Sequence, residues 1–195
     1  KAIDKEIILT NKEYQVLIGS LLGDAYLSKN SAGNIIGGFT HCIKQKDFVL
    51  HKYEILKNIC SQPRIKKLKD ERFKVKEYEQ ISVTIRSFAN LKNIYNNFYE
   101  EGKKIVKKEI LEQLDGLGLA IWFMDDGSNA KYGYILCTNG FNNNDRKVIQ
   151  EVFKNKFNLE TTIRKTGEIY IKAESKEIFK SLIQPYIIPS MQYKL

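Results

Sequence analysis

Two nearly all-apolar stretches, each closing on an aspartate, constrain this 195-residue chain more than any other feature. The first reads Leu17-Ile-Gly-Ser-Leu-Leu-Gly-Asp24 and the second Leu119-Ala-Ile-Trp-Phe-Met-Asp-Asp126, so the two acids lie 126 − 24 = 102 positions apart. A helix that is apolar all round belongs inside a fold, not on its surface. An acid at its C-terminus meets the negative end of the helix dipole, which disfavours it by ~0.3–1 kcal/mol. A buried carboxylate also needs partners. Positive charge is therefore expected beside each acid. Oxygen donors of this kind suit a hard divalent cation such as Mg²⁺, which takes one or two carboxylates with waters and phosphate oxygens. The carbonyls of Gly23 and Asp125, at the helix ends, add further oxygens.

The surrounding pattern repeats. Residues 11–23 read as a helix with Asn11 as N-cap and Glu13 in the first turn. Residues 25–30 and 34–44 read as a hairpin around Ser31-Ala32-Gly33, and 46–60 as a helix. Residues 63–69 and 74–86 form a second hairpin, in which Ile81, Val83 and Ile85 alternate with polar neighbours; 87–99 reads as a helix. The series then restarts: helix 113–125, hairpin 127–130 and 133–139, helix 143–157, hairpin 159–165 and 168–173, helix 175–186. The expectation is an α+β fold of tandem αββαββα repeats, divided at 1–108 (with a linker) and 109–195. Gly19, Ser20 and Gly23 in the first apolar helix, with Gly116, Gly118 and Ala120 in the second, let the two helices approach closely and bring Asp24 beside Asp126. Duplicated units pack with pseudo-twofold symmetry, which suits a near-twofold duplex.

Charge points the same way. The chain carries 32 Lys and Arg against 23 Asp and Glu, a formal +9. Much of the excess falls in Arg64–Lys76, whose alternation is that of a strand. Such charge releases counterions from a polyanion. A membrane surface fits less well, since the segment lacks an amphipathic-helix pattern. No apolar run approaches the ~18 residues of a bilayer span, and the first residues do not read as a signal peptide. Cys42, Cys60 and Cys137 form no CxxC pair, so three reduced, mostly buried thiols are expected rather than a disulfide framework or zinc site.

The segments LLGDAYL, LAIWFMDDGS and the C-terminal IQPYIIPSMQYKL resemble the LAGLIDADG homing endonucleases, and most closely their single-chain, two-motif members. The resemblance covers nearly the whole chain. It departs in having Gly23 and Ala25 where the family name has Ala and Gly, and Ile121-Trp122 where a small residue is common, so an asymmetric helix crossing is expected. The resemblance implies that the motif helices form the interface between the halves, and that paired four-stranded antiparallel sheets make a saddle for the DNA major groove. It places the metals on Asp24 and Asp126, with backbone oxygens from Gly23 and Asp125. It also puts a lysine of each half near the cleavage centre, by position Lys104 and Lys194, to polarise water or stabilise charge on the phosphate. Lys103 competes with Lys104, and Asp125 with Asp126. His41 and Gln45 end a strand that faces the centre, and Gln45 is a candidate to order water, as Asn139 is in the second half.

The polar strand face supplies the DNA-contact candidates: Lys29, Asn30, Lys44, Lys66, Lys69, Lys74, Lys76, Arg86, Lys131, Asn139, Arg164, Lys165 and Lys172. Some would touch only phosphates and some base edges. The function implied is that of a monomeric, site-specific double-strand DNA endonuclease using Mg²⁺, with Mn²⁺ expected to substitute and Ca²⁺ to bind without cleavage. An intron RNA maturase and a non-cleaving DNA-binding protein on the same scaffold are the alternatives. Both tolerate loss of the motif acids, which are present here. The Lys-, Asn-, Ile- and Tyr-rich composition fits an intracellular product of an AT-rich gene, organellar or prokaryotic.

Overall fold

The computed structural model describes residues 5–69 and 77–195. Its element order is α1 (Asn11–Leu22), β1 (Tyr26–Lys29), β2 (Ile35–Cys42), α2 (Lys46–Leu56), β3 (Arg64–Lys69), β4 (Glu77–Ile85), α3 (Leu91–Phe98), β5 (Tyr99–Glu100), β6 (Lys103–Lys104), α4 (Lys108–Gln113), α5 (Gly116–Asp126), β7 (Gly127–Ala130), β8 (Gly133–Leu136), α6 (Asn143–Phe157), β9 (Thr161–Ile163), β10 (Ile169–Ile171) and α7 (Lys176–Ile183). A 3₁₀ turn, Ile43–Gln45, leads into α2, and two more, Gln184–Tyr186 and Pro189–Lys194, follow α7. This is the expected mixed α/β fold. Two antiparallel four-stranded sheets have the same topology, β1-β2-β4-β3 and β7-β8-β10-β9. No described helix is long and apolar enough to cross a membrane.

The two apolar helices pack on each other at the centre, buried along most of their length: Gln15 to Leu22 in α1 and Leu117 to Met124 in α5. Small residues make the approach. A Cβ on Gly19 would strike the Gly118 carbonyl and lie 3.0 Å from Ile121 Cβ, and one on Gly23 would lie 2.6 Å from Asp125 Cβ. Gly19 and Ile121 occupy the same motif position, 121 − 19 = 102 apart, so the crossing is small against large, as expected. Gly116 does not serve the interface: a Cβ there would meet the Leu182 carbonyl and the Tyr186 ring.

Most element boundaries follow the sequence pattern, and the differences have local causes. The N-cap of α1 is Thr10, not Asn11, because the Thr10 hydroxyl and Glu13 carboxylate form a capping box. Helix α5 starts at Gly116 because Asp115 Oδ1 accepts from the N–H groups of Leu117 and Gly118. Helix α2 stops at Leu56, after which the chain turns so that Cys60 bridges to Ile85. Helix α3 begins only at Leu91; the Asn90 side chain bonds the backbone of Ile7 in both directions and holds the preceding turn open. Strand β8 ends at Leu136, where the Cys137 N–H donates to the Asp126 carbonyl. In α7, Pro185 turns the predicted last turn into 3₁₀. Two elements escaped the sequence reading, the β5–β6 hairpin, turning at Glu101-Gly102 with φ of 49° and 77°, and the short α4. Of the thiols, Cys60 is buried but Cys42 and Cys137 are exposed, against the expectation of mostly buried cysteines; all three are free.

Candidate metal centre and nucleic-acid interface

Both motif helices deliver their acids to one place. Asp24 follows the last turn of α1, with a side chain 44% exposed. Asp126 ends α5 and is more enclosed. Burial first, then the like charges of Asp24 and Asp125, push the Asp126 carboxyl up to about 7, against the opposing pull of Lys104 and Lys194. A carboxyl so perturbed, in a cluster with other charged groups, is a functional-site candidate.

Each predicted lysine reaches a motif end. Lys104 Nζ donates to the carbonyls of Gly23 (3.0 Å) and Ala25 (2.9 Å). Lys194 Nζ donates to those of Met124 (2.5 Å) and Asp125 (3.2 Å). Lys104 rather than Lys103 does this because alternation along β6 leaves Lys103 exposed. Burial pulls both pKa values down while the three aspartates pull them up. The Gly23 and Asp125 carbonyls, expected to serve the metal, thus already carry ammonium donors. A cleft of about 560 Å³, lined in part by Lys103, Lys104, Gly140 and Asn142, opens beside Lys104.

Asp125 takes a part of its own. Its side chain is 0% exposed and forms a 2.8 Å ion pair with Lys52 Nζ, also 0% exposed. Burial raises the Asp125 carboxyl to about 6, opposed by Lys52. Lys52 Nζ lies 3.0 Å from His41 Nε2 and 4.4 Å from the ring centres of both Phe39 and Phe48. The other ring nitrogen, His41 Nδ1, lies 3.1 Å from Gln45 Oε1 and 3.6 Å from Asp24 Oδ2. Burial and then Lys52 lower the His41 pKa to about 4. Among the described residues, Asp24, His41 and Asp125 form the one group with metal-ligand spacing. The Lys52 ammonium already supplies a cation to its buried side.

The sequence reading passed over Lys52, yet the signal was present. Phe48, Lys52 and Leu56 share one buried face of α2 at helical spacing. A lysine within such a stripe either snorkels to the surface or answers a buried acid.

The DNA-contact candidates separate by environment. Lys66 shares the outer face of β3 with Arg64, whereas Lys67 and Lys69 alternate with it and pair with Glu79 (3.9 Å) and Glu77 (3.6 Å). Lys29, Lys44 and Lys165 are exposed. Lys131 is also exposed and lies over the Tyr132 ring. Several others are engaged within the fold: Asn30 closes the β1–β2 turn, Arg86 donates to the Asn58 carbonyl, and Asn139 donates to Thr166 O. Arg164 pairs with Glu168 and Lys172 with Glu174. Lys74 and Lys76 lie outside the described residues. Polar strand faces also carry exposed Tyr26 and Tyr78, which the charge-based reading did not single out.

Duplicated sheets around paired helix-end acids define a nuclease-type scaffold, and comparison with known proteins gives it a family. The profile of the LAGLIDADG DNA endonuclease family matches residues 14–180, and the chain belongs to that family. It is 30% identical over its whole length to a cytochrome b mRNA maturase bI2 of Debaryomyces hansenii, covering 75% of that protein. It is 28% identical, over 96% of its own length and 95% of the relative's, to DNA endonuclease I-ChuI of Chlamydomonas applanata. Its fold matches that of the homing endonuclease I-WcaI bound to its DNA recognition sequence, with a TM-score of 0.86 at 26% identity over 97% of this chain and 88% of the other.

Proposed function

We propose that this chain is a site-specific double-strand DNA endonuclease that hydrolyses one phosphodiester on each strand with divalent metal. The observation that carries this reading is the doubling of the centre. Each half ends its motif helix on an acid, and each half sends one lysine to the carbonyls at the end of its own motif helix. Two scissile phosphates need two such sets.

The residues fit the metal. The half-exposed Asp24 carboxylate and the Asp126 carboxyl form an all-oxygen donor pair, which suits Mg²⁺ or Mn²⁺ completed by water and phosphate oxygens. A bound ion would supply Lewis acidity at the phosphate and lower the pKa of its water. Asp24 and Asp126 hold the ion and must be ionised to do so. Lys104 and Lys194, fixed by two carbonyls each, present positive charge where the departing oxygen gains negative charge. The outer sheet faces, including Lys66 and Arg64, lie against the duplex through its major groove. I-WcaI, bound to its DNA recognition sequence, is the structural precedent.

The test is cleavage of a randomised duplex pool in Mg²⁺, followed by the same assay on Asp24→Asn and Asp126→Asn. Both substitutions should abolish cutting and spare most DNA binding. Undiminished cutting by both variants would rule out the metal site. A second reading rests on the maturase-named relative, which the chain matches along its whole length: the chain also binds intron RNA and assists its splicing. Retained binding of intron RNA by the two Asn variants, at the salt used for DNA, supports that role; RNA binding no tighter than to unrelated RNA removes it.

A further inference from the structure

The two halves do not build their centres alike. A strand register, a hydrogen bond and the motif position fix the correspondence. Tyr26 pairs with Gly38 as Ser128 pairs with Ile135, which sets His41 against Thr138. The Arg86 N–H donates to Ile59 O as the Lys172 N–H donates to Glu160 O, which sets Phe48, Lys52 and Leu56 of α2 against Ile149, Phe153 and Phe157 of α6. Gly23 corresponds to Asp125 by motif position. One half therefore has Thr138 and Phe153 at these positions, with the Thr138 hydroxyl donating to Gly167 O at 2.7 Å. The other has His41 over Lys52, answered by an acid reaching in from the opposite half.

Hydrogen-bond direction in this buried chain is determined at its lower end. The Lys52 ammonium has only hydrogens to give, so it donates both to Asp125 Oδ1 and to His41 Nε2. His41 Nε2 must then be the bare nitrogen, and Nδ1 carries the hydrogen. That hydrogen is donated to Gln45 Oε1. Gln45 is left with its Nε2 hydrogens, which have no acceptor among the described residues. In the second half, Asn139 is turned otherwise: its Nδ2 donates to Thr166 O and its Oδ1 faces the Cys137 thiol.

We propose that Asp125, Lys52 and His41 act as a one-sided positioning relay, which orients the Gln45 amide as a hydrogen-bond donor at the Asp24 side of the centre and makes the two phosphodiester cuts inequivalent. The relay rests on the endonuclease reading and deepens it. Asp125 is then a residue of the interface and not a third metal-binding carboxylate. Lys52 and His41 are positioning residues, acting on the reaction through Gln45. The ligand addressed is the water or phosphate oxygen nearest Gln45, an acceptor that an outward-facing amide oxygen would repel.

The experiment measures cutting of each strand separately, on a duplex recovered from the cleaved pool and labelled on both ends. The variants are Gln45→Glu, which keeps the shape but loses the donor, and the double substitution Lys52→Met with Asp125→Gly, which removes both buried charges together and copies the Gly of the first motif. Loss of one hydrogen bond to a charged group corresponds to about ten- to a hundredfold in rate. Both variants should slow the same single strand by that factor, so that nicked duplex accumulates, with the other strand and DNA affinity within about twofold. Equal slowing of both strands, or of neither, in variants whose melting is intact overturns the relay while leaving the endonuclease reading standing. A native chain that cuts neither strand in Mg²⁺ or Mn²⁺ removes the endonuclease reading and the relay with it.

Discussion

The N-terminal and C-terminal halves share strand order, helix placement and the acid at the motif end, yet differ sharply one layer below the surface. The first half has Gly23 against the Asp125 side chain of the other motif helix, with His41 and Lys52 beneath. The second has Asp125 in place of Gly23, with Thr138 and Phe153 beneath. Duplication supplies the skeleton and its shared strand order. The departures are complementary: the acid gained by one half is neutralised by the lysine gained in the other, so the pair works as a bolt across the interface. A buried ion pair of this kind adds little net stability but is costly to break from one side.

The largest expected effect comes from breaking that bolt. Asp125→Ala leaves the Lys52 ammonium buried without its counter-charge and should destabilise the fold by about 3–5 kcal/mol. Adding Lys52→Met should restore most of the loss, since an apolar side chain suits the cage of Phe39 and Phe48. Denaturant melts of the single and double variants check this. A double variant no more stable than Asp125→Ala would mean the two side chains are not coupled. Next in size is the small-against-large contact higher in the same interface. Gly19→Ala pushes a methyl onto the Gly118 carbonyl and Ile121, at a cost of about 1–3 kcal/mol. Its symmetry mate, Ile121→Val, only trims volume and should cost about 0.5–1.5 kcal/mol. Reversed ranking of the two would show that the crossing relaxes more readily than its close packing suggests.

How much of this was legible in the sequence depends on whether the signal was periodic or paired. The motif helices, the repeat and both sheets follow from hydrophobic period and from turns such as Gly33 and Gly167, which local physics specifies. Asp24, Asp126, Lys104 and Lys194 came from the motif pair and positional resemblance, and the structure brings all four together. The choice of Lys104 over Lys103 needed the β5–β6 hairpin, hidden within a lysine-rich stretch with no apolar alternation. The Lys52–Asp125 pair joins residues 125 − 52 = 73 positions apart, with His41 Nε2 close to both. Each alone reads as an odd residue in an apolar run, and only the packing of α2 against the motif helices makes them one feature.

A smaller effect concerns protonation of Asp126. In the metal-free protein, the raised Asp126 pKa means the folded state holds its proton more tightly than the unfolded chain does. That contribution to stability is full below the ordinary carboxylate range and is lost as pH rises toward about 7. Metal binding has the opposite sense, because the ligand must be ionised. Apparent Mg²⁺ affinity should therefore fall by up to about tenfold per pH unit below about 7. The gain in melting temperature on adding Mg²⁺ should be larger at about pH 8 than at about pH 6. Asp126→Asn should flatten this dependence; an equally steep profile in that variant would assign the proton elsewhere.

The smallest effect on stability should come from an ion pair of the same chemistry placed in water. Lys67 and Glu79 face each other across β3 and β4 at 3.9 Å with both side chains well exposed. Screening and side-chain entropy leave such a pair worth no more than ~0.5 kcal/mol, so Lys67→Ala should leave the denaturant midpoint almost unmoved. The neighbouring Lys66 is equally neutral for folding but sits with Arg64 on the outer face, the one offered to DNA. Lys66→Ala should weaken binding uniformly across sequences and reduce the salt slope by about one phosphate contact, while Lys67→Ala should leave the slope unchanged. Equal slopes for the two variants would mean that β3 does not present Lys66 to the backbone. The charge in this strand would then act as a diffuse field around the saddle, unlike the buried lysine of the interface, whose effect depends on each of its contacts.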